Sequence, residues 1–448
     1  MPSTDEAPAA EYAARILESL GAGPLEAQAP GEAHPAQEWA RSGAMALTGA
    51  ADGPPLVLPA YLPACMRGAI LALKSLSGAP LTEIGDGPAL LGERAALAGF
   101  SRNGPSSPGG ACRFVRAADG WAAVNLARPD DFELLPALLE DAAATSWEDL
   151  AGAAQHIAAA ELVERGRLLG LAIAQEGEVA PGRWFEWEAA PAAGDAPARS
   201  GPPVVLDFSA LWAGPLCGHI LSLLGARVIK VESPSRPDGA RGGSQAFYEL
   251  MNGGKECLAI DFRDPAGREV VRRLVAHADI VIDSARPRAW TQLGLEPMEA
   301  IAANPRLTWV SITGHGRGPR EAGWVAFGDD AAVAAGASKL APRQDGRPVF
   351  VGDALADPLT GVHAALAAWA SRLSGGGRLI SLALSRVTAH ALAFRQADDA
   401  AARRQAWIAH LQARGLAAAP PSARKLGRPA RALGADNAAV LALLEASC

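Results

Sequence analysis

Cysteine, methionine and tyrosine are scarce in this chain of 448 residues, at five, five and three copies, and aromatic residues make up only 5 % of it. The cysteines, Cys65, Cys112, Cys217, Cys257 and Cys448, show no CxxC spacing and stand near no histidine cluster. That argues against a disulfide framework or a zinc site and fits a reduced cytosolic compartment. Basic charge is in deficit, with 41 Lys and Arg against 48 Asp and Glu, a net charge of −7. Proteins whose main partner is nucleic acid usually carry a basic face, so that class is disfavoured, although a local basic pocket for an anionic ligand is not. No apolar run approaches the roughly 18 residues of a membrane span. The start, Met1-Pro2-Ser3-Thr4-Asp5-Glu6, is acidic where a signal peptide would be basic. The expectation is a cytoplasmic protein with no nucleic-acid and no membrane partner. Catalytic motifs are missing as well: there is no GxSxG, HExxH, P-loop or Ser-His-Asp order. The loop Ala213-Gly214-Pro215 lacks the first glycine pair of a GxGxxG fingerprint, which disfavours a standard NAD site.

What the chain does contain is a long-range repeat. Residues 39–73 align without a gap on residues 332–366 at an offset of 293, with ten of 35 pairs identical. Gly43/Gly336, Leu47/Leu340, Asp52/Asp345, Gly53/Gly346, Pro55/Pro348 and Gly68/Gly361 are in register. Two copies this far apart are two related modules, not a solenoid, whose periods run to about 20–50 residues. Just upstream they diverge: the second copy has Asp329 and Asp330 where the first has Ala36 and Gln37.

Residues 1–35 read as peripheral, 36–180 as a first module and 181–203 as a Pro/Ala/Gly linker. In the first module, Cys112–Leu126 reads as two short strands about an Asp119-Gly120 turn, a small α+β segment. Beyond the linker the pattern alternates. Strands are predicted at Val204–Phe208, Arg227–Glu232, Cys257–Phe262, Asp279–Asp283 and Leu307–Thr313. Helices are predicted at Pro215–Leu224, Pro265–Ala276 and Pro297–Ala303. Such alternation predicts an α/β fold with a doubly wound, mostly parallel, Rossmann-like sheet over 204–392 and a helical tail over 393–448. Ligands bind beyond the carboxyl ends of such strands, which points to Asp207–Gly214, Glu232–Ser244, Asp283–Pro287 and Thr313–Gly318.

Each candidate residue has a plain alternative. Gly214 opens a helix whose free N–H groups suit a phosphate, or simply makes a tight turn. Lys255, Arg236, Arg241 and Arg286 suit a pyrophosphate through their charge, or are solvated surface charges. His315, between Gly314 and Gly316, sits at the ligand edge, or is structural. Asp330 precedes an apolar helix and on these residues alone reads as its cap, with a desolvated nucleophile as the other reading.

Taken in order, VVLDFSALWAGPLCGHILSLLGARVIKVE, NGGKECLAIDF, DPAGREVVRRLVAHADIVIDSARPRAWTQLGL, NPRLTWVSITGHGRGP and FGDDAAVAAGA resemble the family III CoA-transferases, relatives of formyl-CoA transferase and carnitine CoA-transferase. The resemblance runs through about Val204–Leu392, and WARSGAMALTG with GGACRFVRAADGWAAVNL resembles later family segments in the first half. It implies Asp330 as the nucleophile and Arg286 at the CoA phosphates, with Asp238 and Arg241 matching a neighbouring loop. Trp212 stands where formyl-CoA transferase has a glutamine. Gly109, Gly110, Gly314 and Gly316 are implied as backbone donors to oxyanions. The implied partners are an acyl-CoA thioester as substrate, with no permanently bound cofactor or metal, and a carboxylic acid acceptor. Homodimer and single-chain pseudo-dimer are both open, with one live site per chain because Gln37 replaces the aspartate in the first copy. Two alternatives accompany this reading. An α-methylacyl-CoA racemase would use the positions of Asp329 and Asp357 as a His/Asp pair, and an inactive member would only bind acyl-CoA.

Overall fold

The computed structural model describes residues 7–26, 31, 33–189, 201–397, 399–425 and 427–446. Two sheets organise it. A small antiparallel sheet comprises β1 (Cys112–Arg116), β2 (Trp121–Asn125) and β3 (Ala172–Gln175) in that order. The large sheet holds β4 (Phe185–Ala189), β5 (Val204–Asp207), β6 (Arg227–Glu232), β7 (Glu256–Ala259), β8 (Ile280–Asp283), β9 (Thr308–Thr313) and β10 (Arg378–Ala383). Its order is β4-β10-β9-β8-β5-β6-β7, with all pairs parallel except β4 against β10. From β5 the chain winds outward one way through β6 and β7, and the other way through β8, β9 and β10. The winding reverses between β5 and β8, which makes their carboxyl ends the switch-point crevice. Strands β8 and β9 are buried almost throughout, as expected of a parallel sheet covered on both faces.

The doubly wound sheet is as expected, and the first strand pair of the small sheet lies where the Asp119-Gly120 turn puts it. The predicted linker needs correction: residues 185–189 are strand β4, an edge strand of the large sheet, while 190–200 lie outside the described residues. The chain's first half therefore feeds a strand into the sheet of its second half.

The helices carry the repeat. In chain order they include α1 (Pro8–Ser19), α2 (Pro35–Arg41), α3 (Leu62–Ser77), α4 (Glu93–Ala98), α5 (Ala213–Leu223), α6 (Gly328–Ala334), α7 (Ala356–Leu373), α8 (Ala400–Ala413) and α9 (Asn437–Ala446). Shifting α2 by 293 gives 328–334, the bounds of α6. Helix α3 maps onto α7 in the same way. Gly43 and Gly336 both adopt positive φ, +81° and +92°, a conformation glycine takes at no steric cost.

A second correspondence links α1 to α5. Helix α1, assigned from sequence to a peripheral segment, is buried through Ala9, Tyr12, Ala13, Ile16 and Leu17 and packs along α3. Helix α5 packs along α7 in the same manner. Ala9, Ile16, Leu17, Leu20, Gly21 and Ala22 match Ala213, Ile220, Leu221, Leu224, Gly225 and Ala226 at a constant offset of 204. The contacts match too. A Cβ on Gly68 would stand 2.6 Å from the Ala9 carbonyl oxygen, and one on Gly361 would stand 2.7 Å from that of Ala213. The first half thus repeats the helix pair of the second.

Helices α3 and α7 also pack on each other, and Tyr12 Oη lies 2.8 Å from His363 Nε2, tying α1 to α7 inside one continuous core. The tail is not uniformly helical. Between α8 and α9 it crosses the first half, where Ala419 N–H donates to Ala40 O at 2.7 Å and Arg424 meets Glu93. Then α9 returns to cover β7. No helix among the described residues is long and apolar enough to cross a membrane.

Because the Gly361 contact is with backbone, relief requires moving a helix. Gly361→Ala is expected to destabilise the fold by about 1–3 kcal/mol through overpacking, read from urea unfolding midpoints. A change within roughly 0.5 kcal/mol, typical of a surface site, would contradict the α5–α7 packing.

Candidate active site

Helix α6 begins where Phe327 turns extended and Gly328 enters the helix. Glycine is required at 328, since a Cβ there would strike the Asp357 carboxylate and the Ala354 carbonyl. Asp330 occupies the third position of α6 and is fully buried. Its Oδ1 accepts from Phe327 N–H at 3.0 Å, the helix-capping contact, and from Asn125 Nδ2 at 2.9 Å, a donor sent by the first half from the end of β2. Its Oδ2 is buried and has no partner among the described residues. Burial pushes the carboxyl up to about 7, against the pull of the Asn125 amide and the Phe327 N–H. Desolvation disfavours the charged form, and a rise of that size corresponds to roughly 4 kcal/mol.

Three more carboxylates gather around this helix start. Asp329 Oδ1 accepts from Ala354 N–H at 2.8 Å; burial and the neighbouring Asp353 raise it to about 6, opposed by Arg94. Asp357 opens α7 and accepts from Ala213 N–H, the first residue of α5, at 3.3 Å. Burial raises it to about 7, again opposed by Arg94. Asp353 is fully buried and receives a two-pronged ion pair from Arg94, Nε at 2.9 Å and Nη2 at 2.5 Å. Arg94 comes from α4 of the first half, and its guanidinium carbon lies 5.6 Å from the Trp212 ring and 5.7 Å from the Phe100 ring. Two fixed N–H donors to one carboxylate set the plane of the fork.

The structure brings some of the sequence candidates together here. A Cβ on Gly109 would touch the Phe100 ring at 3.3 Å and lie 3.9 Å from Arg94 Nη2. Gly110, at φ +80°, spends its N–H on Ser107 O at 2.8 Å. Trp212 is buried beside Arg94, edge-on to Phe247, with its Nε1 unpartnered among the described residues.

Others lie elsewhere or are engaged. A Cβ on Gly214 would collide with the Ser209 side chain, so Gly214 makes the tight turn from β5 into α5. Arg241 gives its fork to Glu232, at 2.9 Å and 2.6 Å, and lies over the Tyr248 ring. Lys255 is buried against Asp207 at 2.7 Å; with Lys230 it holds that carboxyl down at about 2 despite burial, which would raise it. Arg286 stands at the end of β8, at the switch point, with no ion pair among the described residues. Burial and the guanidinia of Arg288, Arg128 and Arg236 lower its pKa. The first half reaches this place as well, through Gly170 and Arg128. His315 is buried against Trp324 and lines an open cleft of about 560 Å³ with Glu178, Arg183 and Arg386. Burial, Arg167 and Arg386 push it down to about 3. A Cβ on Gly314 would lie 2.6 Å from that of Ala326, so this glycine lets the loop pack.

Asn125, Arg94 and Asp353 were not legible as site residues. One signal existed for the acids. In the repeat register Asp329, Asp330, Asp353 and Asp357 face Ala36, Gln37, Ala60 and Ala64, so all four belong to the second copy alone.

Residues 203–422 match the family model described as CoA-transferase family III. A succinate–glutarate CoA-transferase of Agrobacterium fabrum is 32 % identical over 220 residues, 44 % of this chain and 55 % of the relative. A formyl-CoA:oxalate CoA-transferase of a Bradyrhizobium species is 34 % identical over 170 residues, 36 % of this chain and 40 % of the relative. The chain thus spans about half the length of the curated relatives it matches. Among solved structures, a CaiB/BaiF family protein from Brucella suis is 30 % identical, covering 50 % of this chain and 60 % of that one at a TM-score of 0.41.

A carboxyl raised from 3.8 to about 7 on folding binds more protons in the native state, so its contribution to stability falls as pH rises from about 4 to 7 and stays lost above. Asp330→Asn keeps the shape and removes the charge. It is expected to raise the melting temperature more at pH 8 than at pH 5, measured by calorimetry; an equal change at both would show that Asp330 is not a buried charge.

Proposed function

We propose that the chain moves coenzyme A from an acyl-CoA thioester to a carboxylic acid, with Asp330 carrying the acyl group; the match of residues 203–422 to CoA-transferase family III supports this reading. The observation that carries this reading is the Asp330 carboxylate itself. It is stripped of water, oriented through one oxygen by Asn125 and Phe327, and bare at the other. A carboxylate needs no general base, and desolvation is what makes it reactive.

In the proposed sequence Asp330 Oδ2 attacks the thioester carbonyl carbon, giving a mixed anhydride and CoA thiolate. The thiolate then attacks the aspartyl carbonyl, releasing the donor acid and leaving an aspartyl-CoA thioester. The acceptor carboxylate attacks that thioester, forming a new anhydride and thiolate. Return of the thiolate to the acceptor's acyl carbon yields the product thioester and frees Asp330. Each tetrahedral oxyanion needs donors, typically worth about 2.7–4 kcal/mol each. The Gly109 N–H belongs to the loop beside Arg94 and is the proposed donor, since that of Gly110 is already bonded. Arg286, with Arg236 and Arg128 nearby, is the proposed phosphate contact at the switch point, where anionic cofactors bind in such sheets. The two halves act as a pseudo-dimer within one chain, with one live site.

The test is chemical trapping. Full-length protein incubated with an acyl-CoA and then hydroxylamine or borohydride should carry a modification on Asp330 by peptide mass spectrometry, absent in Asp330→Asn. Trapping that fails with a panel of straight, branched and dicarboxylic acyl-CoAs would sink the proposal. Since only the ionised carboxylate attacks, kcat/KM should fall as pH drops below about 7, the value of Asp330, by about tenfold per unit. The carboxyls of Asp329 and Asp357, at about 6 and 7, also suit proton transfer, the racemase alternative. Deuterium wash-in at the α-carbon of a 2-methylacyl-CoA without CoA exchange would favour that instead.

A further inference from the structure

The acids of the second copy are crowded at one junction, and a single cation enters among them from the other half. Asp353 is fully buried, and its neighbour Ala354 supplies the N–H that holds Asp329. Asp357 lies against Gly328 in the first turn of α6. Arg94 grips Asp353 with Nε and Nη2, and among the described residues its Nη1 has no hydrogen-bond partner. Its side chain is 29 % exposed, so this edge is reachable from outside the core. Gly109, Phe100 and Trp212 surround the guanidinium.

We propose that Arg94 is a positioning residue for the Asp330 chemistry, which the first half inserts across the junction. By clamping Asp353 it fixes the turn that holds Asp329 beside the nucleophile. By its charge it offsets the carboxylates against which the leaving thiolate must form. The inference rests on the transferase reading. The groups facing this region are Asp329 and Asp330 on α6, Asp353 before α7, Asp357 on α7, Arg94 on α4 and Cys112 on β1, the last a thiol that burial keeps protonated. As negative charge passes from Asp330 to thiolate, the ionised acids repel it wherever it goes. Removing Arg94, the one cation of this group among the described residues, therefore slows turnover more than it weakens binding.

The repulsion depends on pH. Asp329 and Asp357 titrate near 6 and 7 with Arg94 present, and each rises when the cation goes. At pH 6 they are largely neutral without Arg94; toward pH 8 they gain charge.

The experiment compares full-length wild type with Arg94→Gln and Arg94→Lys on an acyl-CoA and acid pair that wild type turns over, with trapping at Asp330 run in parallel. Arg94→Gln should lower kcat by about tenfold at pH 8 while KM for the acyl-CoA changes by less than about threefold. That deficit should shrink toward pH 6, and Arg94→Lys should recover part of it. If Arg94→Gln fails to fold because Asp353 is left as a buried unpaired charge, the double variant Arg94→Gln/Asp353→Asn removes both charges and takes its place, with the same low kcat expected. An unchanged kcat, a deficit equal at every pH, or a rise in KM alone would overturn the role of Arg94 even where wild type traps at Asp330. Absence of trapping in wild type would instead overturn the transferase reading.

Discussion

A helix that is apolar on every side cannot be satisfied by a sheet alone. Helix α7 is such a helix, with 15 of its 18 residues buried. The large sheet covers one side through β9 and β10, and α5 covers another, but α7 still needs a partner on its far side. That partner is α3, whose apolar face runs through Leu62, Met66, Ala69, Ile70 and Leu73. The second half is therefore incomplete as a folding unit without the first. The same requirement acts on α3, which needs α1 as α7 needs α5. The small residues that permit these close approaches, Gly68 with Ala9 and Gly361 with Ala213, are fixed in register because they meet backbone rather than adaptable side chains.

The packing has an electrostatic consequence. Where α3 lies against α7 and Arg94 of α4 reaches Asp353, the acids at the beginnings of α6 and α7 lose much of their hydration. An isolated charge in such a place is costly unless paired. The structure resolves this unevenly. Asp353 takes the Arg94 ion pair, whereas Asp329, Asp330 and Asp357 are driven toward the protonated form near neutral pH. A cluster whose purpose was stability would use apolar residues, which often serve as well or better. The first copy does so at three of the four positions, with Ala36, Ala60 and Ala64. Perturbed carboxyls concentrated in one copy make its helix starts the candidate functional site.

Much of this was readable along the chain, and the rest was not for a physical reason. Strands of the large sheet announce themselves through local apolar runs, and β6 spans Arg227–Glu232 as its residues suggest. The repeat around Gly43 and Gly336 is visible because glycine punctuation survives divergence. Asp330 stands out for the same reason, as an acid where the other copy has none. Asn125 and Arg94 reach Asp330 and Asp353 across 205 and 259 positions, and no local pattern encodes such a meeting. A helix was readable near α1, but its kinship with α5 rests on six matches over 14 positions, too few to stand out in an Ala-rich chain, and its seat on α3, matching that of α5 on α7, brings it out. Arg241 was misjudged in the opposite direction. A basic residue in a strand-end loop suits a phosphate, yet Glu232 at the end of β6 claims it first.

The first copy is arranged differently at the position that matches Asp330. Gln37 holds the third position of α2 as Asp330 holds that of α6, but its amide meets His410 of α8 at 3.0 Å. His34 stacks on the same imidazole with ring centroids 3.7 Å apart. The start of α2 is thus engaged by α8 of the chain's own tail. What the first half supplies to the second is the face of α3, the amide of Asn125 and the guanidinium of Arg94. One buried carboxylate, Asp330, is thereby held from both halves of the chain, by Asn125 and by the Phe327 N–H.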